Sequence, residues 1–350
     1  MSLQLTSNSL VLGIETSCDE TAAAVVRGGR EIVSSVVASQ DELHAPFGGV
    51  VPEVASRRHA ELITLVVDQA MREAGVTWSD LALLAVTRGP GLVGSLLVGV
   101  SAAKGYALAT GLPLVGVDHI AAHMTSSFLV GEGIEAPAPE EFPALGLVAS
   151  GGHSDLVLVS GLGDYRLVGW TRDDAAGEAL DKAARLLGLS YPGGPAIERA
   201  AAEGDPQAVP LPRPDTAEGF EFSFAGLKTA LVREVEPEGG AECRWSVADL
   251  AASFQQAVVD SLVREVMQAA RHFRVRQVLV AGGVAANTRL REDLNAVASE
   301  RGVAVHFPPR WLCTDNAAMV AAAGWLAGLQ DGPDDLSMEV DSALQLPGES

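Results

Sequence analysis

A chain of 350 residues, 48% of them hydrophobic and 20% charged, holds enough apolar material for two domains with a core each. With 24 basic and 45 acidic residues the net charge is −21, which excludes an extended basic surface for nucleic acid or anionic membrane, so an RNA substrate needs local basic patches or a partner. Cys18, Cys243 and Cys313 are scattered and form no C-x-x-C pair, the pattern of free thiols in a reducing compartment. The first nine residues carry no Lys or Arg, so no secretory signal is expected. The longest apolar stretch, around Leu92 to Ala103, is cut by Lys104 short of the ~20 residues a bilayer span needs. The expectation is a cytoplasmic protein with no membrane segment.

Leu10 to Ile14 reads as a strand, Glu15 to Thr21 as a polar turn, and Ala22 to Val26 and Glu31 to Ala38 as two further strands. Gly48-Gly49 mark a loop, and Pro52 opens a helix whose Leu62, Ile63, Val66, Val67, Ala70 and Met71 share one face until Gly75 closes it. Leu81 to Val86 is a buried strand, followed by the tight turn Thr87 to Gly91 and a small-residue helix from Leu92 to Ala109. That glycine turn suits an anion held by backbone N–H groups, and equally suits a turn that needs glycine for its geometry alone.

Pro113 to Val117 predicts a strand and Asp118 a helix start, which puts His119 and His123 on one helical face as half of a metal site. Ile120, Ala121 and Ala122 lie between them, so the glutamate base of the H-E-x-x-H zinc proteases is missing. Taken alone, the pair fits two ordinary polar residues near a helix start just as well.

After a proline-rich stretch, Glu132 to Pro143, expected as an exposed loop, ALGLVASGGHSDLVLVS repeats VLGIETSCDETAAAVV as strand, polar turn, strand. Tyr165 to Gly169 supplies a third strand, and VLVAGGVAANTRLREDL repeats LLAVTRGPGLVGSLLVGV as strand, glycine turn, helix. Two such copies imply a duplicated α/β protein with a cleft between halves. The expected division is residues 1–116 with a returning segment 316–350, and residues 117–315. Ala175 to Leu187, Ala196 to Ala202, Leu227 to Val235 and Ser246 to Phe273 carry helical periodicity. Thr314-Asp315-Asn316 caps a helix over Ala317 to Leu329, and the acidic tail from Asp331 to Ser350 is expected to be loosely ordered.

If a pseudo-two-fold relates the halves, the turns Thr16 to Glu20 and Ser150 to Ser154 face each other across the cleft, and Gly151-Gly152 permits close backbone approach to a phosphate. Asp181 and Asn287 sit where a ribose or base would be held, although each alone fits an ordinary surface or capping residue. Asp315 is by default a helix cap, unless the histidine pair claims it as a third ligand. His44, His59, His153, His272 and His306 have no comparable spacing.

The blocks GIETSCDETAAAVV, GGVVPEVASRRHA, TRGPGLVGSLLVG, DHIAAHM, SGGHSDL, DDAAGEALDKAARLLGLSYPGGP, FSFAGLKTAL, AGGVAANTRLR and CTDNAAMVAAAG occur in one order. Together they closely resemble the bacterial tRNA N6-adenosine threonylcarbamoyltransferase family, once described as sialoglycoprotein endopeptidases. The likeness runs from about Val11 to Gly328. Glu132 to Pro143, Glu203 to Gly219, Glu236 to Arg244 and the tail are individual to this chain.

The resemblance implies the duplicated actin, Hsp70 and sugar-kinase fold, two domains around a nucleotide cleft. It implies one divalent metal ion, Fe2+ or alternatively Zn2+, on His119, His123 and Asp315. It assigns substrate contacts to Val148, Ala149, Ser150, Gly151, Gly152, Asp181, Gly194 and Asn287, with ATP or ADP as a further possible cleft ligand. The implied reaction moves the threonylcarbamoyl group of threonylcarbamoyl-AMP to the N6 amine of adenosine 37 in tRNAs reading ANN codons. The implied partners are tRNA, a paralogous non-catalytic subunit, a small ATPase and a separate synthase that makes the adenylate. Three other readings stand beside it. The missing glutamate argues against a metalloprotease. Imidazole ligands argue against a magnesium-dependent small-molecule kinase of the same fold. The complete triad argues against a non-catalytic scaffold.

Overall fold

The computed structural model describes residues 3–134, 138–213, 219–237 and 242–348. The first lobe holds β1 (Leu10–Glu15), β2 (Glu20–Arg27), β3 (Glu31–Ser39), the short helix α1 (Asp41–His44), α2 (Pro52–Ala74), β4 (Leu81–Gly89), α3 (Val93–Thr110) and β5 (Leu114–Asp118). Next comes α4 (His119–Thr125). The second lobe carries β6 (Ala144–Ala149), β7 (Ser154–Gly161), β8 (Asp164–Gly169), α5 (Ala176–Leu186), α6 (Gly193–Ala201), α7 (Ala225–Val235), α8 (Val247–His272), β9 (Gln277–Ala281), α9 (Thr288–Ser299) and β10 (Ala304–His306). The short α10 (Arg310–Cys313) and α11 (Ala317–Gln330) complete the regular structure.

The duplication expected from the repeated motifs is present strand for strand. One sheet has the order β3-β2-β1-β4-β5 and the other β8-β7-β6-β9-β10. In each, an antiparallel three-strand meander is extended by two parallel strands. The central strands are apolar on both faces because helices cover both. Leu12, Ile14, Ala23 and Val25 pack under α2 and α3, whereas Val11, Ala22, Ala24 and Val26 pack under α11. On the second sheet Leu145, Leu147 and Leu156 face α5 and α8, and Val148, Val157 and Leu279 face Ile120 and Met124 of α4.

The helices α4 and α11 therefore lie side by side between the sheets, joined where the Thr125 hydroxyl donates to the Met319 carbonyl at 3.0 Å. Glycine makes this approach possible at equivalent points of the two copies. A Cβ on Gly13 would stand 2.2 Å from the Ala317 carbonyl oxygen, and one on Gly146 2.2 Å from Met124 Sδ. Both central helices begin at the same end of the cleft, and that end carries the candidate site.

Several expectations shift. Helix α6 starts at Gly193 rather than Ala196, because Pro192 ends the preceding turn and the Gly193 N–H is taken by Asp181. Most described residues of the stretch Glu132 to Pro143 are exposed, as expected, but part of it is packed. Ala138 is 2% exposed and donates to Ser127, and Gln277 donates to the Pro139 carbonyl; 135–137 lie outside the described residues, as do 214–218 and 238–241 of the other individual segments. The apolar stretch cut by Lys104 forms α3, whose length and apolarity would suffice for a span, but whose Leu96, Val100 and Ala103 pack into the first lobe.

The acidic tail is ordered over its described part. Asp334 donates to the Leu114 carbonyl and accepts from the Gly116 N–H, Met338 is 8% exposed within the first core, and Asp341 donates to the Arg88 carbonyl. Further on, Leu167 of β8 donates to the Pro347 carbonyl, so the tail runs from the first sheet to the second. Composition hid this, because most of the contacts are backbone hydrogen bonds, joined by the Asp334 carboxylate, Lys104 and one buried methionine.

Candidate metal centre and nucleotide cleft

Asp118 starts α4 as its N-cap, its Oδ1 accepting from the N–H groups of Ile120 (2.8 Å) and Ala121 (2.9 Å). The cap fixes the first turn, so His119 and His123 project together, with ring centroids 4.6 Å apart. At the start of α11 the cap is Asn316, whose Oδ1 accepts from Met319 at 3.1 Å. Asp315, one residue earlier, is thereby left to the cleft. Its Oδ1 lies 3.2 Å from His123 Nε2 and 3.5 Å from His119 Nε2. One ligand atom from each of the three falls within 4.8 Å of the others.

Both ring nitrogens of His123 are buried without a well-formed hydrogen bond, and Asp315 Oδ1 lies 3.2 Å from Nε2. A buried imidazole without partners is costly, and a cation bound by Nε2 relieves it. Burial pushes His123 down despite the nearby carboxylate, which favours the neutral ring with one nitrogen lone pair available to a cation. For His119 burial acts the same way, but Asp315 and Glu15 outweigh it and push the ring up to about 9. The neighbourhood is rich in unneutralised acid: burial, then Asp19 and Asp315, hold the Glu20 carboxyl well above its ordinary value. Two imidazoles and a carboxylate in such surroundings suit a divalent transition metal better than magnesium.

The group opens into a cleft of about 560 Å³ lined by both polar turns, with Cys18 and Asp19 on one side and Ser150, Gly151 and Gly152 on the other. The first turn is pinned from below, because His59 bonds the Cys18 carbonyl through Nε2 (3.0 Å) and Leu92 donates to the Ser17 carbonyl. In the second, Ser150 donates to the His153 carbonyl and accepts from Gly177, while Gly151 and Gly152 stand exposed with open space around them. Asp181 lines the same cleft and accepts from the Gly193 N–H at 2.8 Å; burial pushes its carboxyl up against the pull of that bond.

Other expected contacts lie further out. Val148 and Ala149 are fully buried in β6 and offer only backbone. Gly194, in the first turn of α6, is not among the residues lining the cleft. The Asn287 side chain caps α9 through Leu290 (3.0 Å) and donates to Gln255 (2.9 Å), so it is committed inside the second lobe. Sequence reasoning passed over two residues at the centre. His153 lines the cleft with its ring 6.4 Å from that of His119, and burial with two neighbouring imidazoles lowers it to about 4. Glu15 accepts from His119 Nδ1 at 3.1 Å. For neither did spacing give a signal, because both reach the site only through the pairing of lobes and strands.

Fold and site together define a two-lobed α/β protein of the actin, Hsp70 and sugar-kinase class, with an imidazole-carboxylate group between its lobes. Among solved structures, HypF of T. kodakarensis is similar in fold, with a TM-score of 0.62 at 16% identity over 94% of this chain and 49% of that one. The activator of 2-hydroxyisocaproyl-CoA dehydratase from Clostridium difficile aligns with a TM-score of 0.51 at 13% identity over 92% of this chain and 96% of that one. The family model described as tRNA N6-adenosine threonylcarbamoyltransferase matches residues 31–322. Proteins of that name from Geobacillus thermodenitrificans and Bacillus subtilis are 54% and 53% identical, covering 98% and 91% of this chain and 99% and 90% of their own lengths. The chain belongs to the tRNA N6-adenosine threonylcarbamoyltransferase family and is a transferase of tRNA modification.

Proposed function

We propose that this chain transfers the threonylcarbamoyl group of threonylcarbamoyl-AMP to the N6 amine of adenosine 37 in tRNAs that read ANN codons. The observation that carries this reading is the His119, His123 and Asp315 group set in a cleft lined by two polar turns. In the reaction the amine lone pair forms a bond to the carbamoyl carbon, the bond from that carbon to the phosphate oxygen breaks, AMP leaves, and the amine loses a proton. His119, His123 and Asp315 would hold Fe2+ or Zn2+, which supplies Lewis acidity and a template for the anionic donor. Backbone N–H groups of the Ser150 to Gly152 turn would hold the phosphate, and Asp181 would receive ribose hydroxyls.

The partners proposed are tRNA, a paralogous non-catalytic subunit, a small ATPase and the synthase that supplies the adenylate, all in the cytoplasm. A net charge of −21 supports shared handling of the polyanion. The test is nucleoside mass spectrometry on unmodified tRNA after incubation with metal-loaded protein, partners, threonine, bicarbonate and ATP. Threonylcarbamoyladenosine that depends on this chain is the expected product. Its absence, with ATP-dependent phosphorylation of a small molecule instead, would favour the kinase reading.

A further inference from the structure

Glu15 ends β1 with its side chain fully buried, in a strand otherwise made of Leu, Val, Gly and Ile. Three donors converge on it. The Ser17 N–H donates to Oε1, the Thr87 hydroxyl on neighbouring β4 donates to Oε2 at 2.8 Å, and His119 Nδ1 lies 3.1 Å from Oε2. Ser17 Oγ stands 3.4 Å from the same ring nitrogen. An ionised carboxylate in this position only accepts. His119 Nδ1 therefore keeps its proton toward Glu15, and Nε2, 3.5 Å from Asp315 Oδ1, is the ring nitrogen left for a metal ion. Among the described residues His123 has no comparable brace, since its Nδ1 is unpartnered.

We propose that Glu15 is a positioning residue for the metal centre: through Nδ1 it fixes the tautomer and ring orientation of His119 and raises its strength as a ligand. Carboxylates behind metal-bound histidines act in this way. Thr87 in turn holds Glu15, so the brace runs from the first sheet to His119, and neither residue lines the cleft. The inference rests on the reading of His119, His123 and Asp315 as a metal centre.

The test uses Co2+ and Zn2+ alone as probes, on wild type, Glu15→Gln and Thr87→Val. Affinity is read by chelator competition, coordination by the ligand-field absorption of the Co2+ form, and folding by metal-free Tm. Glutamine has one acceptor oxygen for three donors, so Glu15→Gln is expected to bind metal about 10- to 100-fold more weakly and to change the Co2+ spectrum. Thr87→Val keeps the shape of the site and frees one side of Glu15, and is expected to show a smaller loss with a spectral shift in the same direction. It carries the test if Glu15→Gln does not fold. Wild-type affinity and an unchanged Co2+ spectrum in the folded variants would make Glu15 a structural anchor of the Ser17 turn and overturn the proposal. A wild-type protein that binds neither ion would overturn the metal reading itself, and this inference with it.

Discussion

Asp315 and Asn316 divide two tasks at the start of α11. Asn316 caps the helix through Met319, and the carboxylate of Asp315 is left 3.2 Å from His123. The sequence alone offers Asp315 for either task, and the two substitutions separate them. Asn316→Ala is expected to cost about 1 kcal/mol of stability and to retain metal. Asp315→Ala is expected to lose bound metal. Thermal melts and metal analysis of both variants check the division.

His123→Ala and His119→Ala are expected to abolish stoichiometric metal while circular dichroism stays native. Each removes one of three ligands from a site with no spare donor of comparable placement among the described residues. Full metal occupancy in either variant would contradict the triad.

Two adjacent glycines give opposite expectations. A Cβ on Gly193 would stand 2.4 Å from Asp181 Cα, so Gly193→Ala should destabilise by about 1–3 kcal/mol. A Cβ on Gly194 meets nothing within 4 Å, so Gly194→Val should leave Tm almost unchanged and act on adenylate affinity instead. Calorimetric titration with a non-hydrolysable adenylate, alongside melting curves, separates them. A large drop in Tm for Gly194→Val with unchanged affinity would make that glycine structural only.

Asp155, on β7, gives a pH signature. Burial and then the nearby Asp118 push its carboxyl up to about 7, against about 3.9 in an unfolded chain. The folded state thus binds this proton more tightly, so its ionisation lowers stability as pH rises from about 4 to 7, and the deficit is complete above 7. Asp155→Asn is expected to melt higher than wild type at pH 8, by roughly 2 °C or more, with the gain vanishing near pH 4. A constant difference across that range would show that the carboxyl titrates normally.

Much of the fold was legible because its signals are local. The alternation of strand, polar turn and strand in both copies, Pro52 and Gly75 at the ends of α2, and the four-residue spacing of the histidines need no tertiary information. The residues that escaped are those set by long-range pairing. Glu15 meets His119 only because β1 lies beside β4 and β5 beyond it, and His153 only because the lobes close on each other. The tail misled for a similar reason, since backbone bonds to Leu114, Arg88 and Leu167 leave no mark in composition. Asn287, which the sequence offers either as a ribose contact or as a helix cap, caps α9 with its side chain.

The chain's basic residues are few, and Arg58 of the Arg57-Arg58 pair is already bonded to Glu61 at 2.8 Å. The isolated chain is therefore expected to bind tRNA weakly, with a log-log salt slope corresponding to about three phosphate contacts or fewer. Fluorescence titrations with and without partner subunits at several salt concentrations check this. Tight and steeply salt-dependent binding by the chain alone would contradict it.

The most direct measurement is single-turnover transfer from labelled threonylcarbamoyl-AMP to unmodified tRNA, comparing metal-loaded wild type, Asn316→Ala and Asp315→Ala in the presence of the partners. The account predicts label on the N6 of adenosine with the first two proteins and none with Asp315→Ala. Transfer by Asp315→Ala at the wild-type rate, with no metal bound, would contradict it.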